Sequence, residues 1–315
     1  MNNAFLHPLI MLSAALIGLA AGMLFDCGWT TDLIEPFLMV MLFVVFMCIS
    51  MKDVGASFSN RRFTAIALLM NFVWTPILAI VLGLFFDNID IRIGLLMLLV
   101  TPCTDWYLVF TATAKGNVPL SSALLPLNLI LQIALMPVYL ILFFNTEIGL
   151  DIPSLLWSIV FVLIVPIAVS LVLKLMSEKL ETVKRFNSAV TGNGDSLQLF
   201  FLCLAIMMMF ASQVDELLNN LDLFVILIAP LLAFFLINYI ISVTVSRLQK
   251  YDYKDTTSLV FTTMARNSPL SLAIAVAAFP DATLLLLVLV IAPLIELPVL
   301  SVTAGYRLKK MERGA

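Results

Sequence analysis

The sequence predicts an all-α integral membrane protein, and three observations lead to that prediction. Apolar residues make up 62% of the 315 residues and charged residues only 12%. The mean hydropathy is +1.11, and a water-soluble globule needs more polar surface than this composition supplies. The apolar residues form long continuous runs, which suit bilayer-spanning helices of about 20 residues rather than the short alternating segments of a membrane β-barrel.

Ten apolar runs follow one another along the chain, and each predicts one membrane-spanning helix. Their approximate bounds are 6–25, 33–51, 62–86, 91–114, 118–144, 153–175, 196–214, 221–246, 255–279 and 283–307. The first run lacks a basic leader and a small-residue cleavage site, so we expect it to be a retained helix and not a removed signal peptide.

The charged residues alternate between the two ends of these predicted helices. All of the 17 basic residues except Arg92 and Arg266 fall in connections on one side of the membrane, whereas the opposite connections are acidic. Because cytoplasmic connections are rich in Lys and Arg, both termini are predicted to lie in the cytoplasm, with the protein in the plasma membrane. A different number of helices would destroy this alternation, which therefore supports ten.

The ninth run contains a polar interruption, "RNSP", from Arg266 to Pro269. Arg266 lies about 16 Å from the predicted cytoplasmic end of the run at helical rise, near the bilayer centre. A charge at that depth costs at least about 2.5 kcal/mol and is tolerated when it faces protein or water. Pro269 removes a backbone donor and disfavours helical geometry at Ser268. The helix is therefore predicted to break at 266–269.

The fourth run has a similar interruption, "TPCTDW", in which Pro102 is followed by Cys103, Thr104 and Asp105. The fourth run is fourth in the first set of five, and the ninth run is fourth in the second set. Five is an odd number, so the second set enters the membrane in the opposite sense. The chain thus predicts two inverted repeats, 1–150 and 151–315, within one membrane domain. Helices four and nine would be broken and cross at the midplane, which is the pattern of a secondary transporter's binding site.

Two further polar residues lie deep in apolar runs, Asn128 in run five and Glu296 in run ten. Asp105, Arg266 and Glu296 are the clearly intramembrane ionisable groups, and their common depth predicts a shared cavity. Arg266 is either a structural cation neutralised by Asp105 or Glu296, or a group that contacts or gates the solute. Glu296 is either a buried protonated carboxyl group or an ion-coupling group.

Other classes of function find little support in the sequence. The four cysteines have neither disulfide nor metal-site spacing, so no metal is expected. We find no nucleophile, base and oxyanion-donor set, so no enzyme is predicted, and nothing indicates a cofactor or nucleic-acid binding. The expected partners are the lipid bilayer and a small anionic or metalloid solute, and the oligomeric state stays open.

The two interrupted runs resemble known transporters. "TPCTDW", followed by "AKGN" at 114–117 and by Asn128, resembles the fourth and fifth helices of the arsenical-resistance permeases. "RNSPLSLAIAVAAF", which begins at Arg266, resembles the ninth helix of those permeases and of the bile acid:sodium symporters, which belong to the same superfamily. The resemblance implies a panel domain of helices one, two, six and seven. The other six helices would form a core domain, and movement between the two would give alternating access.

The resemblance also suggests roles for individual residues. Cys103 matches the permease cysteine associated with arsenite handling, and a thiolate is a soft ligand that suits trivalent arsenic. The candidate substrate-binding residues are Cys103, Thr104, Asp105, Asn128, Arg266, Asn267 and Ser268, and the candidate ion-coupling residues are Asp105 and Glu296.

The chain departs from both families in places that matter for coupling. Arg266 stands where the sodium symporters have Gln, and Thr262 stands where they have an acidic residue. Coulomb repulsion from a fixed cation would weaken the binding of Na⁺ at that place. Ser271 stands where the permeases carry Glu, which removes a carboxylate used by that family.

These patterns predict an ion-coupled secondary transporter of a small anionic or oxyanionic solute, with H⁺ or Na⁺ as coupling ion. Efflux of arsenite or antimonite is the leading specific hypothesis. The first alternative is symport of a small organic carboxylate coupled to sodium or protons. The second alternative is a non-transporting membrane sensor, which would need an output domain or a long tail.

Overall fold

The computed structural model describes residues 3–48, 60–104, 106–148, 152–177, 180–219 and 222–312. Regular structure in these ranges is helical. In chain order the α-helices are α1 Asn3–Leu24, α2 Thr31–Cys48, α3 Arg61–Leu69, α4 Thr75–Gly83, α5 Ile89–Leu99, α6 Trp106–Thr113, α7 Val118–Ile148, α8 Ile152–Ser177, α9 Glu181–Gly192, α10 Gly194–Ser212, α11 Val214–Asn219, α12 Asp222–Gln249, α13 Tyr253–Met264, α14 Ser268–Ala278 and α15 Thr283–Glu312.

The described helices are those of a multi-pass membrane protein. Within the described ranges, five helical spans are long and apolar enough to cross a bilayer, or six if one pair bent by 71° counts as a single span. The helices α1, α8 and α14 contribute shorter apolar segments. On α12, Val225, Leu236 and Ile240 are 70%, 60% and 53% exposed, as side chains that face lipid would be. The predicted number of ten spans stays a prediction.

Two sets of contacts surround the site described below. The first joins α10 to both α1 and α2, and α8 to α2. The second is centred on α15, which contacts α5, α12 and α14. Residues 285–293 of α15 are all buried, and a helix that is apolar on every face and buried in this way lies inside a helical assembly.

The third predicted span is continuous in space but changes its helical geometry halfway. A π-helical segment, Met70–Trp74, lies between α3 and α4. Both the main-chain N–H and the hydroxyl group of Thr75 donate to the carbonyl oxygen of Met70. Pro76 follows and has no N–H to give to the carbonyl four residues earlier, that of Phe72. The hydroxyl group of Tyr139 on α7 donates to this carbonyl instead, at 2.7 Å.

The hydrogen bond from Tyr139 leads to a testable prediction. Tyr139→Phe is expected to lower the free energy of unfolding by about 1–3 kcal/mol, because it removes the hydroxyl group that donates to the buried Phe72 carbonyl. Pro76→Ala restores an N–H group there, so Tyr139→Phe should cost less in that background. Denaturant unfolding of the four proteins of this double-mutant cycle in detergent measures both effects. Tyr306→Phe, at a tyrosine that is 56% exposed, is the control, and equal costs of Tyr139→Phe in the two backgrounds would contradict the interpretation.

Candidate functional site

Two non-helical segments cross inside the protein. One follows the end of α5 at Leu99, and the other joins α13, which ends at Met264, to α14. The segments meet in an isolated antiparallel β-bridge between Pro102 and Arg266. The N–H of Cys103 donates to the carbonyl of Ala265 at 3.0 Å, and the N–H of Asn267 donates to that of Thr101 at 2.7 Å. Each segment therefore supplies hydrogen-bond partners that lipid cannot offer.

Hydroxyl groups strengthen the same crossing. The Oγ1 atom of Thr101 and the Oγ atom of Ser271 lie 2.7 Å apart, within hydrogen-bonding distance. The Ser271 hydroxyl also donates to the carbonyl of Met97 on α5, at 2.8 Å. Ser271, the residue at the position of the permeases' Glu, thus ties α14 to α5.

Asn267 organises the start of α14. Its side-chain oxygen accepts from the N–H of Leu270 at 3.2 Å and caps the helix. Its side-chain nitrogen donates to the Oγ1 atom of Thr104 at 3.2 Å, across the crossing. The next residue, Ser268, donates its hydroxyl hydrogen to the carbonyl of Leu289 on α15.

The guanidinium group of Arg266 turns toward the ends of two helices. Nη1 donates to the carbonyl of Leu99 at 2.9 Å, and Nε donates to that of Met264 at 3.3 Å. Nη2 donates to the carbonyl of Thr263 and, at 3.2 Å, to the side-chain oxygen of Asn71. The acceptors include the last residues of α5 and α13, where a helix dipole leaves partial negative charge. The guanidinium group therefore neutralises two helix C-termini.

Two other groups complete the surroundings of Arg266. The Cζ atom lies 5.3 Å from the centre of the Phe234 ring, at cation–π distance. The main-chain N–H of Arg266 donates to Oε1 of Glu296 at 2.8 Å. Arg266 and Glu296 are each 1% exposed. Among the described residues no carboxylate forms an ion pair with this guanidinium group, so its compensation there comes mainly from main-chain oxygens.

A narrow cavity lies beside the crossing. Its volume is about 30 Å³, room for about one water molecule. The polar residues that line it are Cys103, Arg266 and Asn267 of the crossing and Gln198 of α10. Its apolar lining comes mainly from α2 and α10, and Trp106 at the start of α6 and Pro269 and Leu270 in the first turn of α14 also border the cavity. The N-terminal turns of two helices, where helix dipoles carry partial positive charge, therefore border this space.

The remaining predicted site residues have other places. Thr104 contacts Asn267, Ser268 contacts Leu289, and neither borders the cavity. The side-chain oxygen of Asn128 accepts from Asn71 at 3.5 Å, and Asn71 in turn accepts from Arg266, so Asn71 links Asn128 to Arg266. Asp105 lies outside the described residues.

Three residues of this site were not predicted from the sequence. Asn71 contacts the guanidinium group, Phe234 lies against it, and Gln198 borders the cavity. Asn71 offered a signal, since it is an amide within the apolar stretch "ALLMNFVW". No feature of the sequence marks Phe234, because aromatic residues are frequent throughout this chain.

Comparison with known proteins now decides the family. The model of the Sodium Bile acid symporter family matches residues 35–220, which is more than half of the chain. The chain belongs to this family. Arsenical-resistance protein Acr3 of Corynebacterium glutamicum is 24% identical to it, over 77% of this chain and 69% of the relative's own length. The resemblance found in the sequence is thereby confirmed, including its arsenite-permease branch. The protein is a membrane transporter and not an enzyme.

The region matched by the Sodium Bile acid symporter family model ends before the second half of the site. It includes Cys103 and the whole first interruption, but neither Arg266 nor Glu296. The guanidinium group at the crossing therefore lies outside the stretch on which the family match rests.

Proposed function

We propose that this protein is an ion-coupled secondary active transporter that moves a small anionic or oxyanionic solute by alternating access. Efflux of arsenite or antimonite is the leading specific case. The proposal includes ten spans in two inverted repeats and both termini on the cytoplasmic side of the plasma membrane. It rests above all on the cavity between α2, α10 and the crossing, where a thiol, an amide and a guanidinium group come together.

The cavity's two walls suit a movement of one group of helices against the other. We assign α1, α2, α8 and α10 to the panel domain, and the interrupted helices with α15 to the core domain. The panel wall is apolar except for Gln198, through Met41, Leu42, Val45, Leu199 and Leu202. Its separation from the core would break few hydrogen bonds. The cavity has room for about one water molecule, which is too small for the solute. The two groups of helices must therefore separate before the solute can enter.

The electrostatics of the crossing favour an anion in the cavity. The N-termini of α6 and α14 border it and carry partial positive charge. The negative ends of α5 and α13 are already neutralised by Arg266. Four of the five N–H donors of the guanidinium group are bound to protein oxygens. Arg266 would therefore act on the solute mainly through its charge, and Asn267 through direct contact.

Cys103 gives the site a specific chemistry for trivalent metalloids. It is buried and borders the cavity. Its thiol would replace one hydroxyl group of arsenous acid, so that an S–As bond forms, water leaves and no oxidation occurs. Thr104, Asn128 and Ser268 would hold the crossing in shape, and Asp105 or Glu296 would carry the coupling proton. Na⁺ remains the other candidate coupling ion.

One observation favours the alternative of a small organic carboxylate. Ser271 stands where the permeases carry Glu. Its hydroxyl group forms hydrogen bonds with Thr101 and with the carbonyl of Met97 inside the core. A site without that carboxylate repels a second carboxylate less. Cys103 then distinguishes the two solute classes, because a trivalent metalloid would bind its thiol and a carboxylate would not.

Melting temperatures of the purified protein test these two cases. Arsenite and antimonite are expected to raise the melting temperature, and Cys103→Ala is expected to weaken their apparent affinity by at least about tenfold, since one coordinating bond is lost. Cys203→Ala is the matched control, because Cys203 lies on α10 but does not border the cavity.

The outcomes separate the candidates. Stabilisation by small carboxylates that Cys103→Ala leaves unchanged would favour the organic-anion transporter. Stabilisation by arsenite that both cysteine variants keep would place the metalloid elsewhere. No response to metalloids or carboxylates, with no rescue of arsenic-sensitive cells, would contradict the proposed solute class.

A further inference from the structure

The guanidinium group of Arg266 occupies a cage of oxygen atoms. Three main-chain carbonyls and one side-chain amide accept its hydrogen bonds, from Leu99, Thr263, Met264 and Asn71. These acceptors come from α5, α13 and the π-helical segment. Carbonyl oxygens at the C-termini of interrupted membrane helices are the groups that transporters use to coordinate a free monovalent cation.

The charge of the guanidinium group balances that of the two helix ends around it. Each helix C-terminus carries about half a negative elementary charge. The C-termini of α5 and α13 together therefore present about one negative charge, which the single positive charge of the guanidinium group matches. The nearest described carboxyl group, that of Glu296, binds the main-chain N–H of Arg266 and forms no ion pair with the guanidinium group. The cage thus has the composition and the charge of a monovalent cation site.

We propose that Arg266 is a tethered cation, which fills a cation site at the crossing and so assembles it without a free ion. A Na⁺ ion about 4 Å from the guanidinium group would bind about a thousandfold more weakly than in the empty cage, by Coulomb repulsion at the effective dielectric of a protein. The crossing of this protein therefore needs no bound Na⁺ for its assembly, although the family is named for sodium.

The proposal goes beyond the transport function, and its test uses no solute. Removal of the side chain by Arg266→Ala should open the cage to free cations. The purified variant is expected to melt below the wild type in choline chloride. Sodium chloride at the same ionic strength should raise its melting temperature saturably, by about 5 °C at a hundred times Kd. Guanidinium chloride at low, non-denaturing concentration should also raise it, whereas the wild type should respond equally to sodium and choline.

Arg307 supplies the matched control. It is also a buried arginine, 2% exposed, and it donates to the Thr257 hydroxyl group and to the carbonyl of Tyr253. Tyr253 is the first residue of α13, so the carbonyl that this guanidinium group binds lies at the N-terminal end of a helix and not at a C-terminus. Arg307→Ala should lose stability like any variant that lacks a buried arginine, but it should respond equally to sodium and choline.

Two further variants keep the test decisive if Arg266→Ala does not fold. Arg266→Lys keeps the charge and should be insensitive to sodium, whereas Arg266→Gln removes the charge and should require sodium or guanidinium ions for stability. Equal responses of Arg266→Ala to sodium and choline would overturn the proposal. So would a saturable, sodium-specific stabilisation of the wild type that Arg266→Gln does not change, or equal melting of the Lys and Gln variants in choline.

Discussion

Glu296→Gln is expected to abolish proton-driven accumulation of the solute while it leaves the fold and solute binding intact. Oε1 of Glu296 accepts the main-chain N–H of Arg266 at 2.8 Å, and the side chain is 1% exposed. Glutamine presents an oxygen in the same place, so the interrupted backbone keeps its partner. Glutamine cannot take up or release a proton, however, and a transporter that couples through this carboxyl group would lose its driving reaction.

Proteoliposomes with an imposed pH gradient measure this effect. Net accumulation by Glu296→Gln should fall to the level that solute equilibration alone gives, because the variant carries no proton with the solute. Solute exchange without a gradient should continue, because it needs binding and movement but no net proton transfer. Glu312→Gln, which changes an exposed carboxylate at the end of the same helix, is the control and should accumulate solute normally.

Glu296→Ala separates the hydrogen bond from the charge. It leaves the Arg266 N–H group without its acceptor, at a cost of about 1–3 kcal/mol in stability. This variant should therefore melt below Glu296→Gln. Normal pH-driven accumulation by Glu296→Gln would show that Glu296 carries no coupling proton, and Asp105 would then be the remaining candidate.

The positions of the two interruptions could be predicted because proline and charge act locally. Pro269 and Arg266 predicted a break at 266–269; in the structure the non-helical segment is 265–267, because α13 ends at Met264 and α14 begins at Ser268, with Pro269 in its first turn. Pro102 gave the same kind of signal, and α5 ends at Leu99. These effects need only the chain's own backbone geometry and the cost of a charge in lipid.

The direction of the Arg266 side chain could not be predicted from the sequence. The sequence predicted a common depth for Arg266, Asp105 and Glu296, and their opposite charges suggested an ion pair. In the described residues the guanidinium group instead binds the helix-end carbonyls at Leu99 and Met264. Those acceptors are main-chain atoms, which every residue possesses, so no residue type marks them. Their convergence depends on how α5 and α13 cross.

The π-helical segment and α9 escaped prediction for different reasons. The π-helical segment depends on the hydrogen bonds of Thr75 to Met70 and on the missing N–H of Pro76. A hydropathy profile shows only one continuous apolar run there. The residues of α9 fall in a connection between apolar runs, where the search for spans predicted no helix. Apolar runs therefore locate spans, but they do not locate amphipathic helices outside them.

Gly18→Ala and Gly22→Ala are expected to push α1 away from α10 and to lower both stability and transport. A Cβ atom at Gly18 would lie 2.2 Å from the carbonyl oxygen of Met207, and one at Gly22 would lie 2.4 Å from that of Ala211. Both clashing atoms belong to the main chain of α10, so a change of side-chain rotamer cannot relieve the clash. In a membrane, where lipid replaces water, such close approach is what holds helices together.

Each glycine variant should lose about 1–3 kcal/mol of stability, the usual cost of overpacking. The two sites lie one turn apart on the same interface, so the double variant should lose less than the sum of the single losses. Gly305→Ala on α15 is the control, because nothing lies within 4 Å of its added Cβ atom. It should be neutral or, through helix propensity, stabilising by up to about 1 kcal/mol. Melting temperatures in detergent give the comparison.

The effect of the α1 glycines on transport tests whether the panel moves as one body. Leu199 and Leu202 of α10 border the cavity, so a displaced α10 changes the wall that the solute meets. If α1, α2 and α10 move together, Gly18→Ala should slow transport even though neither Gly18 nor its contact residue Met207 borders the cavity. A variant with a lowered melting temperature and an unchanged rate at a temperature where it is folded would show that α10 keeps its position without α1. The boundary of the moving unit would then have to be drawn between those two helices.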